Sequence, residues 1–312
     1  MDAKDKRILH ELSKNARIPI KHLAKIIRMS ESSTIYRLER LEKKGILLGT
    51  HAIINSYKLG YLGFRAYLFL QGTTRNKEDE ILNWLTSRTE TSVIGITQHN
   101  EEIIIMSWVK SIDIFNNFIK QFKENYGEFI KDFQIFSYVG TIYYPRNYLN
   151  PKNKGKEIIV RTSVPVDYDS LDLSILKQLS VNGRKTALKI SKELNKPVKT
   201  IINRMKLLIK KEIIIGYSAN IDLNKIGYEY YKINLIFSKN INYNTLLSFA
   251  RELDNSIYVD EAISKYDFEL NIEVENKEEL NAIINNIKQL TGGIKHIEIK
   301  QISKYLKLSF LN

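Results

Sequence analysis

Residues 5–46 read DKRILHELSKNARIPIKHLAKIIRMSESSTIYRLERLEKKGI, and the pattern returns at residues 172–213 as DLSILKQLSVNGRKTALKISKELNKPVKTIINRMKLLIKKEI. Adding 167 to each number aligns the two stretches without a gap as far as Tyr61 and Tyr228, and 20 of these 57 positions are identical. Chance similarity does not extend this far at one fixed offset. The sequence therefore predicts a duplicated unit of roughly 160 residues.

Each copy opens with a pattern of three short helices. In the first copy the apolar residues recur at helical spacing, the stretch Asn15 to Pro19 interrupts them, and Ser30 can cap a third helix through its hydroxyl. We expect the third helix to bury Ile35, Leu38 and Leu41, which leaves its polar and basic side chains on the free face. An extended stretch follows Gly45, so the pattern predicts a winged helix-turn-helix.

The order of elements after Gly60 is strand, helix, strand, strand, helix, strand, and the second copy repeats it. This is the ferredoxin-like βαββαβ arrangement. We therefore expect an α+β fold of two repeats, each a helix-turn-helix head followed by a ferredoxin-like domain. The expected boundaries are 1–58 for the first head, 59–145 for the first ferredoxin-like domain, 146–166 for a linker, 167–225 for the second head and 226–312 for the second ferredoxin-like domain.

The excess positive charge is confined to particular segments. The chain of 312 residues has a formal net charge of +13, of which residues 1–50 carry +6, 145–166 carry +4 and 167–216 carry +6. The other two segments are slightly acidic. A Lys-rich composition with evenly solvated faces would spread the excess, so the distribution favours a surface that binds a polyanion.

Composition also excludes several classes of protein. The chain has no cysteine, so it has neither disulfides nor thiolate metal sites. Its first residues have no apolar core of signal-peptide length and it has no apolar run of membrane-spanning length, so we expect neither export nor membrane insertion. It also has no phosphate-binding glycine loop and no nucleophile elbow. We expect no cofactor, no metal and no membrane. The linker contains Pro, Gly, Asn and Lys, and at about 3.3 Å per extended residue it should hardly restrict how the two halves sit.

A set of residues in the first head and just after it matches the pattern of a known protein family. They are Asp5, Ile8, Leu9, Leu12, Asn15, Ala16, Arg17, Leu23, Ala24, Ser30, Ser33, Arg37, Leu41, Glu42, Gly45, Ile46, Gly49, Leu59 and Gly60. In this order and spacing the chain resembles the Lrp/AsnC (feast/famine) family of bacterial and archaeal transcription regulators. The resemblance implies a sequence-specific DNA-binding regulator, cytoplasmic and nucleoid-associated in a prokaryote, whose ferredoxin-like domains sense an effector and oligomerise.

Candidate DNA-binding residues lie on the third helix of each head, because base edges are met by the N-terminal half of a recognition helix. They are Ser32, Ser33, Tyr36, Arg37 and Arg40 in the first head, and Lys199, Thr200, Asn203 and Arg204 in the second. An alternative for Arg37 and Arg204 is structural, tying the helix to Asp5 or Asp172. Because Arg40 becomes Leu207 in the second copy, we expect unequal half-sites with the stronger contact at the first head.

Candidate effector-binding residues lie in the hairpin turns of the ferredoxin-like domains. In the resembled family a turn containing glycine helps to form an amino-acid site, and the matching positions here are His99 and Asn100 in the first domain and Tyr266 and Asp267 in the second. Neither turn keeps the glycine, so a plain hairpin turn is the competing interpretation.

Two other functions compete with specific regulation. An architectural, sequence-tolerant DNA-binding protein would bind any duplex with steep salt dependence. The siroheme decarboxylases resemble the same family and work as two related subunits, but they need clustered His and Arg side chains to hold a tetrapyrrole. His99 and His296 each stand alone in their domains. We therefore expect the chain not to be an enzyme.

Assembly stays open at the level of sequence. In the resembled family two units pair through their sheets and present two reading helices. One chain here already holds two units, so it forms either an intramolecular pseudo-dimer or a homo-oligomer in which each half pairs with a second chain. Apolar strand residues such as Ile103, Ile105, Leu270 and Ile272 suit both arrangements.

Overall fold

The computed structural model describes residues 1–98, 102–239 and 241–309. The first half (residues 1–145) begins with a head of three helices and a strand, and continues into an alternation of strands and helices. Its elements are α1 (Ala3–Lys14), α2 (Ile20–Ile27), α3 (Glu31–Lys43), β1 (Leu47–Ile54), β2 (Leu62–Leu70), α4 (Arg75–Ser87), β3 (Thr91–Thr97), β4 (Ile103–Val109), α5 (Ile112–Tyr126) and β5 (Ile130–Tyr143).

The second half (residues 167–312) repeats this order after one short strand in the linker. The elements are β6 (Ile158–Arg161) in the linker, then α6 (Ser170–Val181), α7 (Ala187–Leu194), α8 (Val198–Lys210), β7 (Ile214–Ile221), α9 (Leu223–Ile226), β8 (Glu229–Phe237), α10 (Tyr243–Glu252), β9 (Ser256–Ile263), β10 (Phe268–Val274), α11 (Lys277–Thr291) and β11 (Ile294–Leu308). The predicted fold class is confirmed: two winged helix-turn-helix heads, each followed by a ferredoxin-like domain.

The two heads exchange their wing strands. Strands β1 and β7 pair antiparallel, with Leu47 opposite Ile221. The core of the first head contains Ala219 and Ile221 from β7, and the core of the second contains Ala52 from β1. Each head therefore completes its apolar core with a strand from the other half, so neither head is a self-contained unit.

Helix α3 buries a different stripe from the one expected. Ile35 is 43% exposed, whereas Thr34 and Leu41 are buried and Leu38 is partly buried. The expectation that Ile35 is buried is wrong. The spacing of Thr34, Leu38 and Leu41 at four and three residues defines the packed face, and Ile35 lies beside that face on the solvent side.

The ferredoxin-like domains join into one closed barrel. The nine-stranded sheet has the order β2-β4-β3-β11-β8-β10-β9-β5-β6, and β2 also pairs with β5. Strands β2 to β5 of the first half and β8 to β11 of the second therefore form a closed ring, whose two junctions between halves are β3 with β11 and β5 with β9. The halves thus pair with one another within a single chain.

The linker is part of the folded structure. Strand β6 adds to β5, and the partly buried Arg146 has its Nε 2.9 Å from Oε2 of the buried Glu273. The ring of Tyr148 stacks on Tyr228 with centroids 4.3 Å apart. The expectation that this segment hardly restricts the two halves is wrong, because its side chains find buried partners that composition alone does not reveal.

Candidate nucleic-acid interface and barrel clefts

The N-terminus of α3 presents a hydroxyl-rich surface. Ser30 caps the helix as predicted, its Oγ accepting from the backbone N–H of Ser33 at 3.2 Å, and the same hydroxyl lies 3.1 Å from Oγ of Ser32. Tyr36, one turn further on, is 64% exposed. These candidate residues share the free face of the helix, where hydroxyls and the helix N-terminus can meet phosphate or base edges.

The arginines of α3 are held by the start of α1. Arg37 Nη1 donates to Asp2 at 2.6 Å and to Asp5 at 2.8 Å, and Arg40 Nη2 donates to Asp5 at 2.7 Å. The hydrogen bond from Arg37 lowers the pKa of Asp2 to about 2. The structure therefore shows Arg37 in the alternative role, in which it ties α3 to Asp5, and Arg40 binds the same carboxylate. Contact of either arginine with DNA stays a prediction.

Helix α8 offers a different free face. Arg204 lies 2.8 Å from Asp169 and 3.3 Å from Asp172, which repeats the tie of Arg37. Lys199 and Asn203 are exposed, and Thr200 is half-buried beside them. The face also exposes apolar side chains, namely Ile202, Leu207 and Ile209. Lys199 can contact phosphate, Asn203 can contact adenine, and the apolar side chains can contact thymine methyl groups.

A reciprocal clamp fixes the two heads relative to one another. Arg17 Nη1 donates to the carbonyl of Gly183 at 2.7 Å, and Arg184 Nη1 donates to the carbonyl of Ala16 at 2.7 Å. Burial, and then the charge of Arg17, lowers the pKa of Arg184. Sequence analysis did not find this role. The sequence does carry a signal, because Asn15 and Arg17 recur at the same spacing in both copies, but recurrence within a family motif does not reveal the partner of a side chain.

The effector candidates divide between described and undescribed residues. His99 and Asn100 lie outside the described residues. The hydroxyl of Tyr266 donates to Glu298, and Asp267 Oδ2 accepts from the backbone N–H of Phe237 at 2.8 Å. Asp267 therefore stabilises the turn through this hydrogen bond, and Tyr266 reaches the barrel interior. Both residues line a cleft of about 290 Å³. An effector role for the four residues stays a prediction.

A larger cleft of about 460 Å³ lies between the halves and is charged. Glu102 of the first half and Glu298 of the second both line it, and Lys300 between them donates to Glu102 at 2.6 Å and lies 3.2 Å from Glu298. Burial raises the pKa of Glu102 despite Lys300. Burial acts in the same direction on Glu298, but the hydrogen bond from Tyr266 and the charge of Lys300 outweigh it and lower its pKa. Sequence analysis missed this cleft, because its walls come from strands remote in sequence.

The part of the chain that the structure describes lacks two features. Across the described ranges, no group of three or more His, Asp or Glu side chains is arranged to hold a metal ion. No helix in the described part of the chain is long and apolar enough to cross a membrane.

Both heads match known families of helix-turn-helix domains. An AsnC-type helix-turn-helix domain matches residues 1–42, and a winged helix-turn-helix DNA-binding domain matches residues 168–215. The HTH-type transcriptional regulator Ptr1 of Methanocaldococcus jannaschii is 33% identical over 99 residues, which cover 32% of this chain and 67% of that protein. The regulator LrpA of Pyrococcus abyssi is 48% identical over 61 residues, covering 20% of this chain and 43% of its own.

This chain covers different shares of its relatives' lengths. A proline dehydrogenase transcriptional activator of Rhodobacter capsulatus is 35% identical over 27% of this chain and 54% of its own length. This chain thus spans about half the length of that activator and of LrpA, and about two thirds of Ptr1. The similarity in sequence concerns regulators that carry a helix-turn-helix.

Comparison with solved structures matches the chain from end to end. The siroheme decarboxylase NirDL, in a co-complex with an iron-uroporphyrin III analogue, superposes with a TM-score of 0.63 at 13% identity and covers 99% of this chain and 93% of its own. This corrects the expectation that the chain is not an enzyme. An enzyme has the same tandem architecture, so the architecture gives no ground for that exclusion. At this identity the likeness shows the fold alone.

Proposed function

The chain belongs to the Lrp/AsnC family, and from this premise we propose that it is a sequence-specific DNA-binding regulator of transcription whose single chain supplies both reading heads. The clamp between Arg17 and Arg184 carries the proposal. It joins the turn between α1 and α2 to the turn between α6 and α7, so the heads that carry α3 and α8 are held together, as two-site reading of a duplex requires. The proposal is also supported by the basic charge of both heads.

Each head would read DNA with a different set of side chains. In the first, Ser32, Ser33 and Tyr36 would meet base edges and phosphates from the N-terminal half of α3, with Arg37 and Arg40 at its flank. In the second, Lys199 would meet a phosphate, and Asn203 can hold adenine through N6 and N7. Since the two faces differ, the preferred operator would have two unequal half-sites.

Selection of bound sequences from random duplex DNA tests the proposal. The full chain is incubated with a random library at near-physiological salt, bound duplexes are sequenced over several rounds, and a selected duplex is then competed with random DNA. A shared motif with two dissimilar halves, and retention of binding against random competitor, are the expected results. Equal binding of all duplexes would instead support the architectural function, and no binding would reject both.

We further propose that an amino acid acts as effector in the charged cleft between the halves. Lys300 and Glu298 give that cleft groups of both signs, which suit the carboxylate and ammonium of an amino acid. Isothermal titration of the full chain with leucine, lysine and glutamine checks this, with Lys300→Met as the matched variant. Heat of binding that Lys300→Met abolishes supports the site, and no binding by any amino acid rejects it.

The match in fold along the whole chain favours one second candidate, a protein that binds a tetrapyrrole. Among the described residues no histidine lines either cleft, and Lys300 of the larger cleft already faces two carboxylates. A bound tetrapyrrole would therefore have to displace these ion pairs through its own carboxylates. Titration of the chain with iron porphyrin tests this candidate: a saturable shift of the Soret band supports it, and an unchanged band rejects it.

A further inference from the structure

The barrel-facing sides of the two halves differ in charge. Arg65 on β2 and Lys232 on β8 are equivalent residues of the two repeats. Residues that pair with equivalent positions on these strands are themselves equivalent, so the strand register extends the comparison to the neighbouring strands. Equivalent positions that differ in charge include Gly95 and Asp260, Ile104 and Glu269, and Phe136 and Lys300, and also Trp108 and Glu273, and Gln134 and Glu298. The interior face of the second half is rich in ionisable groups, whereas that of the first is mostly apolar and aromatic.

One cation of the first half balances this difference. The side chain of Arg65 is 2% exposed, donates to Glu269 and lies 3.4 Å from Asp260. Within the second half, Lys232 lies 2.5 Å from Asp260 and 3.0 Å from Glu269. The cluster of these four residues therefore holds two cations and two carboxylates. Burial raises the pKa of Asp260, but Lys232 and Arg65 outweigh it and hold that pKa well below its usual range.

Two more contacts across the halves depend on the same asymmetry. The hydroxyl of Tyr138 donates to Asp260 Oδ1 at 2.7 Å, and its equivalent in the second half is Ile302, which cannot donate. Lys300 of the second half donates to Glu102 of the first at 2.6 Å. The barrel-facing sides are thus complementary to each other in position as well as in charge.

Pairing of like halves would break the balance. Two first halves would bury two Arg65 side chains facing Gly95 and Ile104, with no carboxylate at either position. Two second halves would place two Lys232 side chains among four carboxylates, two each from Asp260 and Glu269, and each Lys300 would already have Glu298 of its own half as a partner. An uncompensated buried charge is strongly unfavourable. We propose that the four-residue cluster is a pairing code, by which the first half accepts a second half and rejects another first half.

Cutting the linker tests whether each half pairs only with the unlike half, which the exchanged wing strands also favour, and the charge swap below isolates the contribution of the cluster. A protease recognition sequence is inserted between Asn153 and Lys154, both of which are exposed, and the folded chain is cut, unfolded in urea and refolded. Native mass spectrometry then reports which fragments pair, with the uncut chain as the refolding control. Only pairs of unlike fragments are expected. Pairs of like fragments in statistical proportion would overturn the proposal, and so would a cut chain that never reassembles, because complementary faces must recognise each other without the linker.

A charge swap in the intact chain gives an independent measurement. Arg65→Glu and Glu269→Arg are each expected to lower the thermal unfolding midpoint by about 10 °C or more, since each leaves like charges buried together. The double variant restores a cross-half ion pair and should recover at least half of the summed loss. Lys77→Glu, at an exposed ion pair with Glu80, is the matched control and should shift the midpoint little. Losses that simply add in the double variant would contradict the code.

Discussion

Arg17 and Arg184 each donate to a backbone carbonyl of the other's turn, at 2.7 Å in both directions. Each also reaches a second carbonyl, that of Lys185 for Arg17 and that of Ile18 for Arg184. The reciprocal contact joins the two heads at the point where the first two helices of each are connected. Together with the pairing of β1 and β7, it therefore holds the reading helices in a defined relative position.

Removing one side of this clamp should weaken both fold and function. We expect Arg17→Met to lower the free energy of unfolding by about 1–3 kcal/mol, because two partly buried carbonyls lose their donor. Affinity for the selected operator should fall as well, although Arg17 does not lie on a reading helix. Urea unfolding and fluorescence anisotropy measure the two effects. Lys25→Met, at an exposed lysine on α2, is the control, and equal behaviour of the two variants would refute the role of the clamp.

The two heads should contribute unequally to DNA binding. We expect Arg40→Ala to weaken operator binding more than Lys199→Ala, and each to reduce the slope of log affinity against log salt by about one if it removes a phosphate contact. The structure adds a qualification, because Arg40 is held by Asp5. Comparing Tyr36→Ala with Asn203→Ala, at equivalent exposed positions, removes this complication. Equal losses in both comparisons would count against the asymmetry.

A strained turn in the second head should accept glycine. Gly45 and Glu212 end equivalent helices with positive φ, +62° for Gly45 and 56° for Glu212. A side chain is unfavourable in this region, so Glu212→Gly should raise the free energy of unfolding by about 1 kcal/mol. Gly45→Ala should lower it, since the φ of +62° at Gly45 is unfavourable for a residue with a side chain. Urea unfolding checks both, and a destabilised Glu212→Gly variant would contradict the argument.

His51 should make stability depend on pH below neutrality. Burial, and then the charge of Arg146, lowers its pKa from 6.5 to about 4, so the unfolded chain binds a proton more readily than the folded chain. The contribution of neutral His51 is therefore fully present above pH 6.5 and is lost as pH falls towards 4. The loss amounts to about 3 kcal/mol. Unfolding of the wild type and His51→Gln from pH 7 to 4 measures it, and parallel curves for the two proteins would exclude this residue as the cause.

Local structure followed from the sequence where local periodicity determines it. The pattern predicted the order of helices and strands in each half, and Ser30 as the cap of α3. The expectation for Ile35 failed, because the packed face of α3 is set by which residues the neighbouring helices reach. Helical spacing alone permits either face.

Long-range relations were beyond sequence reasoning. Asp260 and Glu269 lie on strands where alternation suggests a solvated face, yet closure of the barrel turns that face inwards. The pairing of β1 with β7 could not be predicted either, because the sequence of an apolar strand does not show which half it will pack against. The candidate DNA-binding residues could be named because the helix-turn-helix is a local motif, whereas the charged cleft needs residues from both halves.

The closed barrel also bears on how such a chain can change over time. In a dimer of identical chains every substitution appears twice, so Asp260 could not arise without a second copy facing it across the symmetry axis. Here Gly95 keeps the matching place in the other half, so only one of these two equivalent positions carries a carboxylate. Covalent fusion thus released the two halves from obligatory symmetry. A fused chain of this kind has no need of a palindromic target, since its two heads are free to acquire different preferences one residue at a time.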